Sequence, residues 1–413
     1  MNTPRSDLAD RAVRSDLPMP LWEFVPLVAG LMALNALAID IMLPALGDIS
    51  DHYRLTVDNH RQWVVFAYVF GFGAPQLVFG PISDRFGRKG LLQICLIGYA
   101  VAGFACMLTD SFILLLAVRF IHGVFASGVR VIAVSIVRDL MAGRAMARVM
   151  SLVMTVFMVV PVLAPAIGKG VMLFASWQWT FGLLAIAGLM MLVWVQFRLP
   201  ETLAAGARQP LSLRSTFSAY RQVVATRVTF GYMAASGVIF GALFAFIASS
   251  EQVFSDVFDK HDSFALWFGG IAACLAAANF VNARIVERIG MRRISHIVMI
   301  AFIVLSLTNV IAMQFFGEKL SIFYPLFGLT FACFGMMGAN FSALAMEPLG
   351  KIAGTASAAY GFATSTVASG FGYLVASRFN GSVVPVMTGF VGLGIVSLSI
   401  ILITERGRLF STR

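Results

Sequence analysis

Twelve apolar windows run through this chain, at 24–46, 61–82, 91–109, 112–137, 147–172, 179–198, 228–250, 263–283, 294–314, 321–346, 355–377 and 384–404. Each is about twenty residues long, the length a helix needs to cross hydrocarbon with its backbone satisfied internally. Only 12% of residues are charged and 59% are hydrophobic, where a soluble domain carries about 25% charged residues. An ordinary soluble enzyme is therefore excluded, and the expectation is an all-α membrane protein of twelve transmembrane helices. An even number of spans places both ends on one side. If that side is cytoplasmic it collects 22 of the 30 lysines and arginines, and the opposite face holds six. The asymmetry predicts a multi-pass protein of the inner (cell) membrane with both termini cytoplasmic. It also accounts for the net charge of +10 without nucleic acid as a partner.

The four cysteines fall inside spans with no metal-ligand spacing, so neither a disulfide framework nor a metal or other cofactor is expected. The first twenty residues mix Asp and Arg and lack a short apolar core with a small-residue cleavage site, so the first span is read as the insertion signal.

The longest connection, 199–227, carries Pro200, Gly206, Pro210 and four arginines and divides the spans six and six. The expected organisation is a tail at 1–23, a bundle at 24–198, a cytoplasmic linker at 199–227, a second bundle at 228–404 and a tail at 405–413. An internal repeat joins the halves. Asp84, Arg85, Gly87 and Lys89 after span two recur as Glu287, Arg288, Gly290 and Arg292 after span eight, at an offset of 203 residues. Same-direction repeats imply two pseudo-symmetric six-helix bundles with a site between them near the midplane, moving by rocking.

Of twenty acidic residues, Asp40 alone falls well inside a span. A carboxylate in hydrocarbon costs several kcal/mol, so such an acid marks a proton or ion site facing protein or water; the competing reading is an acid that snorkels to the outer interface. Span four carries Arg119 and His122, with Arg130 eleven residues on, about three turns and so on the same face as Arg119. A basic stripe must face a wet cavity or pair with an acid, and Asp40 is the acid at that depth for Arg119. His122 reads two ways, as a proton relay or as a packing residue. Gly80, Asp84, Arg85, Gly87 and Arg88 form a loop motif: the glycine for close helix approach, the acid for a helix N-terminus, the bases for the anionic leaflet. With Glu287 and Arg288 they are candidates for a latch between the bundles. Pro161, Pro165 and Gly168 in span five suit a hinge at the bundle interface. The abundant Phe (37) and Met (21) could line an apolar pocket, although most are expected to face lipid.

Together these residues resemble the major facilitator superfamily, and within it the twelve-span drug:proton antiporters of the bicyclomycin and chloramphenicol resistance (Bcr/CflA) type. The resemblance runs through Asp40 with Pro44 in span one, Gln62, Tyr68 and Gln76 in span two, the Gly80 to Lys89 motif, Arg119 with His122 and Gly123, Pro165 with Gly168, Ser176 with Trp177, Tyr232 with Ser236, Asn340, and Gly354 with Thr355. It implies that Asp40 titrates the coupling proton with Arg119 as basic partner, and that Asp84 and Arg88 belong to the latch. Tyr68, His122, Arg130, Tyr232 and Asn340 are then candidates for the substrate cavity. The chain departs from the family pattern at Lys169, Glu251, Pro75 and Arg130, which leaves substrate choice open, with Arg130 favouring polar or anionic compounds. Met32 stands where some drug antiporters carry a second acid. The expected function is proton-coupled export of small amphiphilic compounds by a monomer in the bilayer. The nearest alternative is a proton-coupled importer of a carboxylate or amino acid, with a membrane-embedded enzyme or sensor behind it.

Overall fold

The structure, a computed structural model, describes residues 19–141, 143–203, 206, 208 and 213–410. Most of the expected tail at 1–23, parts of the linker, including Pro210, and the end of the 405–413 tail lie outside them.

Nine helices among the described residues are long and apolar enough to cross a membrane, and a bent pair makes a tenth. Span one is α1 (Leu21–Asp40), a 3-10 turn over Leu43–Ala45 and α2 (Leu46–His52). Pro44 has no N–H to continue the α ladder, which is why the helix breaks there. Span two is α3 (Trp63–Gly73) and α4 (Gln76–Phe86), bent by 44° at Ala74 and Pro75. Spans three, four and six are α5 (Arg88–Met107), α6 (Phe112–Leu140) and α8 (Gln178–Arg198); α7 (Gly143–Met172) is span five and runs unbroken through Pro161 and Pro165. The linker carries α9 (Leu213–Ala225). The second half comprises α10 (Arg227–Gln252), α11 (Phe264–Ile289), α12 (Met291–Phe316) and α13 (Leu320–Met346). Span eleven is α14 (Ala353–Phe362) and α15 (Ala368–Ala376) around a π-helical turn over Ala363–Val367, and α16 (Val384–Thr404) closes the set. This is the twelve-helix, two-bundle architecture the sequence predicts, with span one extended from residue 46 to His52 and breaks in spans two and eleven that it does not.

The repeat is visible in backbone and in contacts. Gly87 and Gly290 hold φ of 99° and 91°, a conformation costly for any residue with a Cβ. Beyond each glycine a base pairs with an acid at the end of the next helix: Arg88 with Asp139 at 2.8 Å and Arg292 with Glu347 at 3.1 Å. The halves meet where span one contacts α10, span two contacts span eleven, and α7 contacts α11. Small residues permit these approaches: a Cβ on Gly73 would fall 2.1 Å from Thr366 Oγ1, and one on Gly269 3.1 Å from the Val162 carbonyl. The phenylalanines divide differently from expectation. Phe246, Phe268, Phe327, Phe331 and Phe390 interlock in the core of the second bundle, while others, Phe104 and Phe197 of the first half and Phe315 of the second, are exposed.

Candidate functional site

Two of the membrane-depth groups expected to pair do not meet. Arg119 is fully buried, and its guanidinium donates from Nη2 to the Ala38 carbonyl at 2.9 Å and from Nε to the Val64 carbonyl at 3.2 Å. Its Nη1 lies 3.3 Å from His122 Nδ1, and the Tyr68 ring sits 4.4 Å below it. The planar fork of arginine suits this, since it holds several acceptors at once. His122 stacks edge-on with Tyr68 and Tyr99; those phenols donate to Asn35 Oδ1 at 3.0 Å and to the Leu34 carbonyl at 2.9 Å. Arg119 thus ties spans one, two and four together, and His122 sits in the same cluster with its Nε2 lacking a partner among the described residues.

Asp40 is the last residue of α1, 3% exposed, and its Oδ1 has no hydrogen-bond partner among the described residues. It forms no ion pair there, so the expected contact with Arg119 is absent from this conformation. Tyr68 lies within electrostatic reach of both groups. Because span one continues to His52, Asp40 is about three turns from that end, deeper than the sequence places it and beyond a short snorkel. The break after it is clamped by span five: a Cβ on Gly168 would fall 1.9 Å from the Ile41 carbonyl and 3.3 Å from Pro44. Gly168 therefore acts at this close approach, and α7 meets the other half at Val162, which lies between the two prolines in sequence.

A cavity of about 570 Å³ lies between the halves at the arginine-rich face. Gln76, Gly80, Asp84, Arg88, Arg130 and Arg138 line it from the first half, the start of α14 from the second, and Thr216 and Tyr220 from α9. Tyr220 donates to the Leu77 carbonyl at 2.8 Å, and burial pushes its phenol up to about 12, so it stays a donor. Arg130 donates to Gln76 Oε1 at 3.1 Å, and Gln76 donates to Ser365 Oγ at 3.2 Å. This layer, with Gly73 against Thr366, closes the inner end of the cavity. Of the five residues expected on the substrate cavity, only Arg130 lines it. Tyr68 and His122 are sealed in the Arg119 cluster. Tyr232 is buried and bonds Glu405 at 2.8 Å and His296 at 3.2 Å, and Asn340 pairs with Asn282 at 2.9 Å, 2% exposed. Each of the four has polar neighbours within its own half, His122 through Nδ1 alone, and that is where their side chains stay in this conformation.

The opposite face is sealed by groups the sequence reading left open or missed. Arg61 of span two pairs with Glu251 of α10 at 2.9 Å and with Asp256, both across the two halves. Beside it Gln62 donates to Gln252 at 2.6 Å and to the Ala376 carbonyl at 3.1 Å, and Asn59 donates to the Phe379 carbonyl at 2.8 Å. Arg61 is 7% and Glu251 2% exposed.

A cavity on one face, a polar seal on the other and a doubled six-helix unit are what alternating access requires. The family model of the Major Facilitator Superfamily matches residues 28–373. The chain belongs to that superfamily. Similar curated proteins include an MFS-type transporter of Bacillus subtilis, YdgK, 29% identical over 81% of this chain and 84% of its own. A bicyclomycin resistance protein homolog of Haemophilus influenzae is 27% identical over 88% and 91%. The chloramphenicol resistance protein CraA of Acinetobacter baumannii is 25% identical over 74% and 73%. Among solved structures, the xylose transporter XylE of E. coli in a partially occluded inward-open conformation superposes with a TM-score of 0.72 at 12% identity, covering 94% of this chain and 98% of that one. The fold is shared at that distance. The resistance-protein relatives agree with the branch that the sequence resembles.

In this superfamily member the loop motif works within the first bundle. Asp84 pairs with Arg88 at 2.6 Å, and Arg88 also holds Asp139. The acid at the α5 N-terminus is Glu201, which accepts from Arg88 N at 2.9 Å and Lys89 N at 3.3 Å, the arrangement a helix dipole favours. Gly87 is required by its φ and by Glu201, 2.5 Å from where a Cβ would stand. Gly80 meets no neighbour and borders the cavity, so it gives no close helix approach here. Arg85, Glu287 and Arg288 are exposed; in the second half Arg292, bonded to Glu347 and Glu405, does what Arg88 does in the first.

Proposed function

We propose that this chain is a proton-coupled antiporter that exports small amphiphilic compounds across the bacterial inner membrane, with both termini cytoplasmic and the monomer as working unit. On this orientation the cavity faces the cytoplasm and the Arg61–Glu251 seal faces outward. The observation that carries the reading is Asp40, a deeply buried acid without ion partner among the described residues, set at the break of span one between α7 and α10. Rocking the halves would move that break, exposing the carboxyl to each side in turn. Latch residues Asp84 and Arg88, and the Gly168 contact, would set the balance between the two states. The names of the resistance-protein relatives support drugs among the cargo. One proton moving down about 100 mV supplies about 2.3 kcal/mol, enough for about a fifty-fold substrate gradient.

The test is direction. In inverted membrane vesicles holding the protein, an imposed acid-inside gradient should drive chloramphenicol inward, and collapsing it with a protonophore should release it. Accumulation driven by the reverse gradient would assign the chain to proton-coupled import.

A further inference from the structure

We propose that the cavity binds compounds through a carboxylate or comparable oxyanion, with Arg130 and Arg138 as the recognising groups. This names the cargo of the export site above, but it does not depend on proton coupling.

The two arginines lie eight residues apart on α6, about two turns, so both face the same cavity wall. Arg130 is bonded to a neutral amide, Gln76, with Phe72 at 5.7 Å. Arg138 has no hydrogen bond or ion pair among the described residues. The cavity's two carboxylates do not answer them: Asp84 and Asp139 are both held by Arg88, at 2.6 and 2.8 Å. Three guanidiniums therefore face two carboxylates, and both carboxylates are already engaged by one of the three.

The far wall adds a second source of positive potential. Gly354 opens α14, and a Cβ there would stand 2.8 Å from Arg138 Nη1. A guanidinium thus lies against a helix N-terminus, whose free N–H groups carry partial positive charge. Two positive ends in contact are unfavourable until an anion sits beside them. Thr216 and Thr355 on the same lining supply hydroxyl donors for its remaining lone pairs. The volume, about 570 Å³, suits a drug-sized molecule. An amphiphile with one oxyanion fits this wall, whereas a lipophilic cation is repelled by it.

The succinate half-ester of chloramphenicol adds a short succinyl arm that ends in one carboxylate, and binding of the two compounds to the purified full chain in phosphatidylcholine nanodiscs, with no pH gradient, reads the preference. The half-ester should bind about tenfold tighter, more weakly as salt is raised. The preference should vanish in Arg130→Gln and largely survive in Arg130→Lys. Should Arg130→Gln not fold, Arg138→Gln reads the same site and should reduce the preference several-fold. Equal affinities, a preference unaffected by these changes, or no binding of the half-ester would overturn the proposal. Displacement of the half-ester by added phosphatidylglycerol would also overturn it, assigning the arginines to lipid phosphate. Binding with this preference but without proton-driven transport would leave the anion site standing and the antiport reading fallen.

Discussion

At the scale of single residues, membrane depth is where charge is most constrained, and the two deep charges resolve it differently. Arg119 is held by carbonyls and aromatic faces, and Asp40 is sealed alone. Arg119→Lys keeps the charge but loses the fork, so it cannot reach the Ala38 and Val64 carbonyls together; thermal unfolding in detergent should report a clear loss of stability, and an unchanged midpoint would show that the fork is not needed. Gly168→Val places a branched side chain where the Ile41 carbonyl already stands at 1.9 Å from a Cβ. Overpacking of this kind costs about 1–3 kcal/mol, and the same measurement should show it, with transport reduced in proportion. The deep placement of Asp40 and Arg119 was legible from the sequence because a charge among apolar residues needs a reason. Their partners were not, because two charges at similar depth need not point at each other: backbone carbonyls compete for the guanidinium, and no spacing rule reports a side-chain direction.

At the scale of elements, breaks and seals decide what moves. Pro75 marks the bend of span two, a signal present in the sequence as a departure from the family pattern. The π-helical turn of span eleven has no comparable mark, since Gly361 to Val367 reads as an ordinary small-residue stretch. The seal was also hidden: Arg61 and Glu251 are 190 residues apart, and only the docking of span two on α10 joins them. Removing one partner of a buried ion pair costs about 3–5 kcal/mol, a penalty paid only while the seal is closed. Arg61→Ala should therefore populate the state open to the outside. In a cysteine-free background, Ala376→Cys, buried within the seal, should react several-fold faster with an impermeant maleimide once Arg61→Ala is added. Equal labelling would mean that the amide bonds of Asn59, Gln62 and Gln252 hold the face shut without the ion pair. If the loop motif acts as the proposed latch, Asp84→Asn, which weakens the hold on Arg88, should lower transport at equal expression by shifting that equilibrium.

At the scale of the whole molecule, the doubled architecture was readable from hydropathy, from the basic-residue asymmetry and from the repeat at an offset of 203 residues. The structure shows why the repeat is imperfect. Gly87 and Gly290 share a backbone turn, but the working base moves from Arg88 to Arg292, one place later in register, so that Met291 stands at the equivalent position. What the sequence could not say is which cavity-facing candidates are exposed at a given moment, because exposure belongs to one conformation of the cycle and not to the residue. Tyr232 and Asn340 are examples, satisfied within the second bundle while the cavity sits at the arginine-rich face. On the proposed coupling, Asp40 would be sealed in some states and wetted in others, and the break after α1 would supply the means.

The measurement that tests this most directly is transport by Asp40→Asn in proteoliposomes with only a pH gradient imposed. Asparagine keeps the shape and hydrogen-bonding capacity of the side chain and cannot exchange a proton. The variant should insert normally and carry out downhill exchange insensitive to pH, but it should fail to concentrate chloramphenicol. An Asp40→Asn protein that still concentrates the drug from a proton gradient alone would place the coupling group elsewhere and contradict the account at its centre.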